Sequence, residues 1–172
     1  MLLTRRRALA LCAALAASAA APAQAHHGFA GEFDAGAPVT LTGEITSVDW
    51  VNPHVTIHLT VPREGLPSQD WAVITGTPNT MLRRSLCREA LKAGMRVTIH
   101  AYQDRVKACV PARGAPDDAK EPIACKAGGD QLTFASGETV DLGYRPGDAA
   151  NTGPPADNPV LRAICTAPAA KS

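Results

Sequence analysis

No Cys-x-x-Cys pair occurs in the 172-residue chain, so the usual spacing of a thiolate metal site is missing. Aromatic residues are scarce, at 4%. A barrel that grips single-stranded nucleic acid needs stacking rings and basic residues on its second and third strands; only Trp71 and Arg63 are available there, and Trp71 reads as core. Neither charge sign is in excess, with a formal net charge of +1, so no polyanion-binding surface is expected. Catalytic patterns are missing too. Ser68, Asp70 and the histidines form no recognisable triad or nucleophile elbow, and Glu32 and Asp34 read as solvated charges in an arm. The chain is therefore expected to be a non-enzymatic protein that binds no nucleic acid.

The N-terminus has the three parts of a secretory signal: Arg5, Arg6 and Arg7, an apolar run from Ala8 to about Ala21, and Ala23-Gln24-Ala25 as a small-x-small cleavage site. That run is mostly alanine and falls short of the ~20 residues that span a bilayer. Residues 1–25 are expected to be a signal peptide that delivers the protein to the periplasm, with no integral membrane segment left after its removal. Thr4-Arg5-Arg6 also has a twin-arginine look. The cut leaves about 147 residues, enough for one domain with a real core. Because it removes three arginines and no acid, the net charge falls from +1 to −2.

Residues 55–61 alternate without a fault. Val55, Ile57, Leu59 and Val61 share one strand face, and His54, Thr56, His58 and Thr60 share the other. Val39, Leu41 and Ile45 precede them in phase, but Val48 and Trp50 fall on the opposite parity, so a bulge near Thr46 and Ser47 is needed to return them to the inner face. Asn52-Pro53 makes the turn of this hairpin. Pro62 to Ser68 is the next turn, and Asp70 to Thr75 a third strand, antiparallel to the second. Thr77 caps a short helix with Pro78 at its first position; Met81, Leu82, Ser85 and Leu86 form its stripe, and Arg83, Arg84 and Arg88 its more polar side. Met95 to Tyr102 is a fourth strand with His100 outward. Gln131 to Leu142 holds a last strand pair or one bent strand.

Three strands, a helix, then one or two strands is the element order of the five-stranded oligonucleotide/oligosaccharide-binding (OB) barrel. The expected fold is mainly β: a small OB-like barrel over residues 26–142 with one helix between strands three and four. A β-sandwich would bury the same patterns but would not need the helix. Gln103 to Gly129 repeats with no period and reads as a disulfide-closed insertion, and residues 143–172 as an irregular Pro- and Gly-rich tail. Four cysteines remain after export, allowing three pairings. Cys109 with Cys125 and Cys87 with Cys165 is favoured, because the first pair brackets the loop that lacks a core-forming pattern.

A cut after Ala25 leaves His26-His27 as the terminus, offering an α-amine and a ring nitrogen of the kind copper(II) takes in tetragonal geometry. A cut after Ala23 instead makes His26 the third residue, in an arrangement whose amine, two amides and imidazole form a square plane. His54, His58 and His100 could add imidazoles. Same-face residues four apart on a strand are about 13 Å apart at a rise of roughly 3.3 Å per residue, so at most one of His54 and His58 joins the terminus. His54, beside the turn, is the better placed. The competing reading makes both exposed strand polars.

His26-His27-Gly28-Phe29-Ala30 with Glu32-Phe33-Asp34, then Gly43-Glu44-Ile45 before Trp50-Val51-Asn52-Pro53-His54, Gly76-Thr77-Pro78-Asn79 with Leu82-Arg83-Arg84, and Leu91-Lys92-Ala93-Gly94 form four ordered blocks. In these the chain resembles a family of small exported bacterial proteins catalogued as domain of unknown function 6152. The resemblance implies a periplasmic β-barrel domain and brings no established activity. The 103–129 segment, the cysteines and the long tail depart from that family's compact pattern.

The leading expectation is a periplasmic binding protein that holds copper at His26 and His27 with help from His54 or His58. The alternative is a metal-free OB-like module that binds an unknown periplasmic protein or small molecule through Trp50, Asn52 and His58. An accessory subunit of a redox enzyme is a third reading.

Overall fold

Alternation of apolar and polar residues builds the central hairpin, and the parity slip before it bends it. Strand β1 (Phe33–Asp49) pairs antiparallel with β2 (Thr56–Arg63). Their register runs from Ile45 opposite Leu59 to Ser47 opposite His58, leaving Thr46 as the extra residue. This is the expected bulge. Beyond it Val48 and Trp50 pack against the core, which already holds Leu41, Ile45, Val55, Ile57 and Leu59. The structure is a computed structural model; it describes residues 29–106, 109–111, 123–144, 146 and 158–166. The signal segment, His26 and His27 lie outside the described residues.

The second turn is tighter than the sequence predicts. Both strands run on to a two-residue turn at Glu64 and Gly65, where Gly65 takes φ 68°, and β3 spans Leu66–Ile74 rather than starting at Asp70. Thr77 then caps α2 (Pro78–Arg83), its hydroxyl accepting from the Thr80 amide at 3.2 Å. Such a cap contributes about 1 kcal/mol. Ser85, at φ 61°, turns the chain so that Leu86 and Cys87 enter the core, and a 3₁₀ turn follows at Arg88–Ala90. Two side chains of this region depart from expectation. Leu82 is 54% exposed, and Arg84, expected on the polar side, is 5% exposed and paired with Asp141. Its partner lies far along the chain.

Strand β4 (Arg96–Asp104) pairs with β1, β5 (Cys109–Pro111) with β6 (Ile123–Phe134), and β6 with β4 and β7 (Thr139–Asp141). All of these pairs are antiparallel. In addition β3 runs parallel to β6, from Trp71 opposite Cys125 to Ile74 opposite Gly128. The pairings β1–β2–β3–β6–β4–β1 thus form a ring in which five strands each have two neighbours. Inside it, Val73, Val97, Ile99, Ala127 and Leu132 meet the hairpin residues, while Met81, Leu86 and Leu91 close the helix end.

The last part of the expected insertion is a strand rather than a loop. Ile123 to Gly129 belongs to β6, the strand that joins the two ends of the sheet. A run of Ala, Cys, Lys and Gly shows no alternation because its neighbours supply the bulk. A β-carbon on Gly129 would meet Leu142 and Val73 at 2.8 Å, and one on Gly128 would meet the Phe33 and Tyr144 rings at 2.9 Å. Part of the tail is regular as well. Helix α3 (Pro159–Thr166) buries Leu161, and the Cys87–Cys165 disulfide ties it to the 3₁₀ turn with Cα atoms 5.7 Å apart. Cys125 is also disulfide-bonded, and the residue opposite it in the ladder is Cys109.

Candidate functional site

The arm before β1 is neither strand-like nor merely polar. Phe29–Glu32 forms one helical turn, α1, fastened to the end of β4 by Arg105, whose amide donates to the Glu32 carbonyl at 3.0 Å and whose Nε donates to the Ala30 carbonyl at 2.6 Å. Its aromatics anchor it on the outer face of the ring over Gly128 rather than in the main core. Phe29 touches Phe33 at 5.7 Å between ring centroids, Tyr102 at 5.3 Å and Tyr144 at 5.8 Å, and Phe33 meets Tyr144 edge-on at 5.2 Å. Edge-to-face pairs of this kind are each worth ~1 kcal/mol beyond the area they bury. Gly128 has no side chain because these rings occupy its place.

Two histidines flank this cluster. The His54 ring stands edge-on to Tyr144 at 5.4 Å, and the His100 ring edge-on to Tyr102 at 5.4 Å. His54 precedes β2 instead of sharing its outer row, and is half-buried. Its Nδ1 lies 3.0 Å from the Thr75 carbonyl oxygen. A carbonyl can only accept, so Nδ1 is the donor, and in the neutral ring it is Nε2 that keeps the lone pair. His100 Nδ1 lies 3.2 Å from Asp130 Oδ2, a contact that likewise makes Nδ1 the donor. Donation of one ring nitrogen to a carbonyl or carboxylate is the usual preparation of a metal-ligating histidine. Among the described residues, no three His, Cys, Asp or Glu converge to hold a metal ion.

Glu32, read from sequence as a solvated charge, is half-buried in the same cluster. It accepts from Lys126 Nζ at 2.7 Å and from the Tyr144 hydroxyl at 3.3 Å. Burial pulls its pKa upward, but the Lys126 hydrogen bond and charge, helped by Tyr144 and His54, hold it below its ordinary value. The Tyr144 phenol is pushed up to about 12 by burial and by the Glu32 charge beside it. Lys126 Nζ also lies over the Phe33 ring, 5.5 Å from its centroid. Lys126, Tyr144 and Asp130 were not legible as site residues, nor was Glu32 as their partner, since these groups meet the arm and His100 only once β6 pairs with β4.

The other candidates stand apart. His58 is half-buried on β2, with Nε2 3.1 Å from Asp49 Oδ2, opposite Ser47 and Ala72 in the ladders. The structure brings it together with Asp49, not with His54. Trp50 packs partly into the core and its carbonyl accepts from Arg88 Nη2 at 3.1 Å, while Asn52 is exposed, its peptide bond to Pro53 cis. No described helix is long and apolar enough to cross a membrane.

Fold and site together define a mainly β domain with an aromatic-anchored N-terminal arm and a disulfide-tied C-terminal helix. The chain belongs to the family of unknown function DUF6152, whose model matches residues 14–110. No curated protein and no solved structure matches it. The matched span holds the arm, β1–β4 and α2, while β6, which completes the ring, lies beyond it.

Proposed function

We propose that this is a periplasmic, non-enzymatic binding protein that holds copper(II) at His26 and His27 with His54 as a further imidazole ligand. Export follows from the signal-like N-terminus and its Ala23-Gln24-Ala25 site. An OB-like barrel is the scaffold: the cycle of strand pairings, the single parallel pair and the helix between β3 and β4 all support it. The observation that carries the metal reading is the orientation of His54, whose ring donates through Nδ1 to a carbonyl and stands edge-on to the Tyr144 ring on which the arm docks. His27 precedes Phe29 by two residues, a reach of at most ~7 Å of extended chain. His100 is oriented in the same way but stands on the other side of Phe29. His58 is not needed.

Copper(II) titration of the authentically processed protein, with mass spectrometry of its N-terminus on the same sample, tests this reading. One-to-one binding is expected to vanish in His26→Ala and on adding a residue before His26. It should weaken about tenfold or more in His54→Ala, as loss of one ligand or its orienting partner does, and stay unchanged in His58→Ala. Binding that survives a blocked N-terminus refutes it.

A further inference from the structure

The ring of strands is plugged at one end by α2 and the 3₁₀ turn, whose Met81, Leu86 and Leu91 reach the core. Its other end contains a cavity of about 460 Å³, within the ~300–1,000 Å³ of ligand pockets. The inward rows of all five strands reach it, with Val39 and Leu41 from β1, Val61 from β2, Trp71 from β3, Gln103 from β4 and Cys125 from β6. Next inward on β4 and β6 are Ala101 and Ala127, both fully buried. Alanines where the other strands carry Leu59 and Val73 leave the space unfilled.

The polar side chains lining this mouth are Thr40, Arg63, Gln69, Gln103 and Lys126, with no carboxylate among them. Arg63 donates through Nε to the Pro67 carbonyl at 2.8 Å, and its two Nη groups make no bond among the described residues. The half-buried Gln103 amide also makes none there, whereas Lys126 is taken by Glu32. A half-buried amide without a protein partner is costly unless water or a ligand satisfies it. An apolar wall with a guanidinium and an amide at its rim matches a molecule with an apolar body and one anionic end. We propose that the open end of the strand ring binds a small amphipathic carboxylate, its chain between Val39, Val61 and Trp71 and its carboxylate at Arg63 and Gln103. The site is separate from the copper cluster and does not depend on it.

Calorimetric titration of the processed protein with hexanoate, octanoate and decanoate, each below its micelle concentration, tests the proposal. Saturable one-to-one binding is expected to tighten by about fourfold per added methylene. Arg63→Gln, at an exposed side chain, should weaken octanoate about tenfold, the worth of one charge-assisted contact, and leave octanol unchanged. Val39→Phe should abolish binding with the near-ultraviolet circular dichroism retained. If that variant fails to fold, the ligand series and Arg63→Gln decide. No saturable binding, affinity independent of chain length, or equal loss of octanoate and octanol in Arg63→Gln overturns it. Copper binding stays intact in Arg63→Gln, which keeps the two readings distinguishable.

Discussion

Arg84 and Asp141 offer the sharpest test of how the helix end of the ring is held. Arg84 is 5% exposed and its partner carboxylate 26%, so water reaches the guanidinium poorly and the carboxylate is one of the groups that compensate it. Asp141 Oδ1 also accepts from the Gly143 amide at 2.6 Å. Replacing Asp141 with Leu removes the countercharge from a buried cation, which costs roughly 3–5 kcal/mol. The double variant Arg84→Met/Asp141→Leu removes both charges and keeps the volume, so it is expected to fall within about 1 kcal/mol of the natural protein, as such replacements often do. Urea unfolding under oxidising conditions, followed by tryptophan fluorescence, gives both numbers. With a slope of about 2 kcal/mol per molar, the single variant's midpoint drops by roughly 2 M. A single-variant cost below about 1 kcal/mol, or a double variant as unstable as the sum of the singles, would refute the reasoning.

Titration of the arm follows from the same physics. The depressed Glu32 value means that its contribution is present at neutral pH and lost as pH falls through the folded-state pKa; ring-proton shifts of Phe29 should report arm release on that limb, and Glu32→Gln should remove the transition. For Tyr144 the sign is opposite. Its contribution is intact below the ordinary 10.0 and lost as pH rises through about 12, which phenolate absorbance of a Tyr102→Phe variant measures. Cys165→Ser opens a loop with a sequence separation of 78, worth about 4 kcal/mol in the chain-entropy limit. Amide exchange over residues 159–166 should accelerate together with a lower unfolding midpoint, and unchanged exchange would show that α3 docks without its tether.

Local signals carried part of this architecture. The alternation of residues 55–61 made β2 legible, the parity slip located the bulge at Thr46, and Thr77-Pro78 marked where α2 begins. The Cys87–Cys165 bond was legible from cysteine number and position. His54 was singled out among the histidines, but for its place beside the turn rather than for the carbonyl that orients its ring. Arg84 was misplaced because three neighbouring arginines on a helix read as solvated, and nothing near them in sequence announces Asp141.

The sequence by itself determined which segments alternate, where they turn and where α2 starts, because each of these depends on backbone preferences and side chains within a few residues of one another. Tertiary structure decided the rest. β6 is built of small residues whose role exists only once Phe33, Tyr144, Leu142 and Val73 press against Gly128 and Gly129. Pairing of β4 with both β1 and β6 brings Glu32 to Lys126 across 94 residues and to Tyr144 across 112. Contacts over such separations leave no periodic trace in the chain, and the candidate site is made of them.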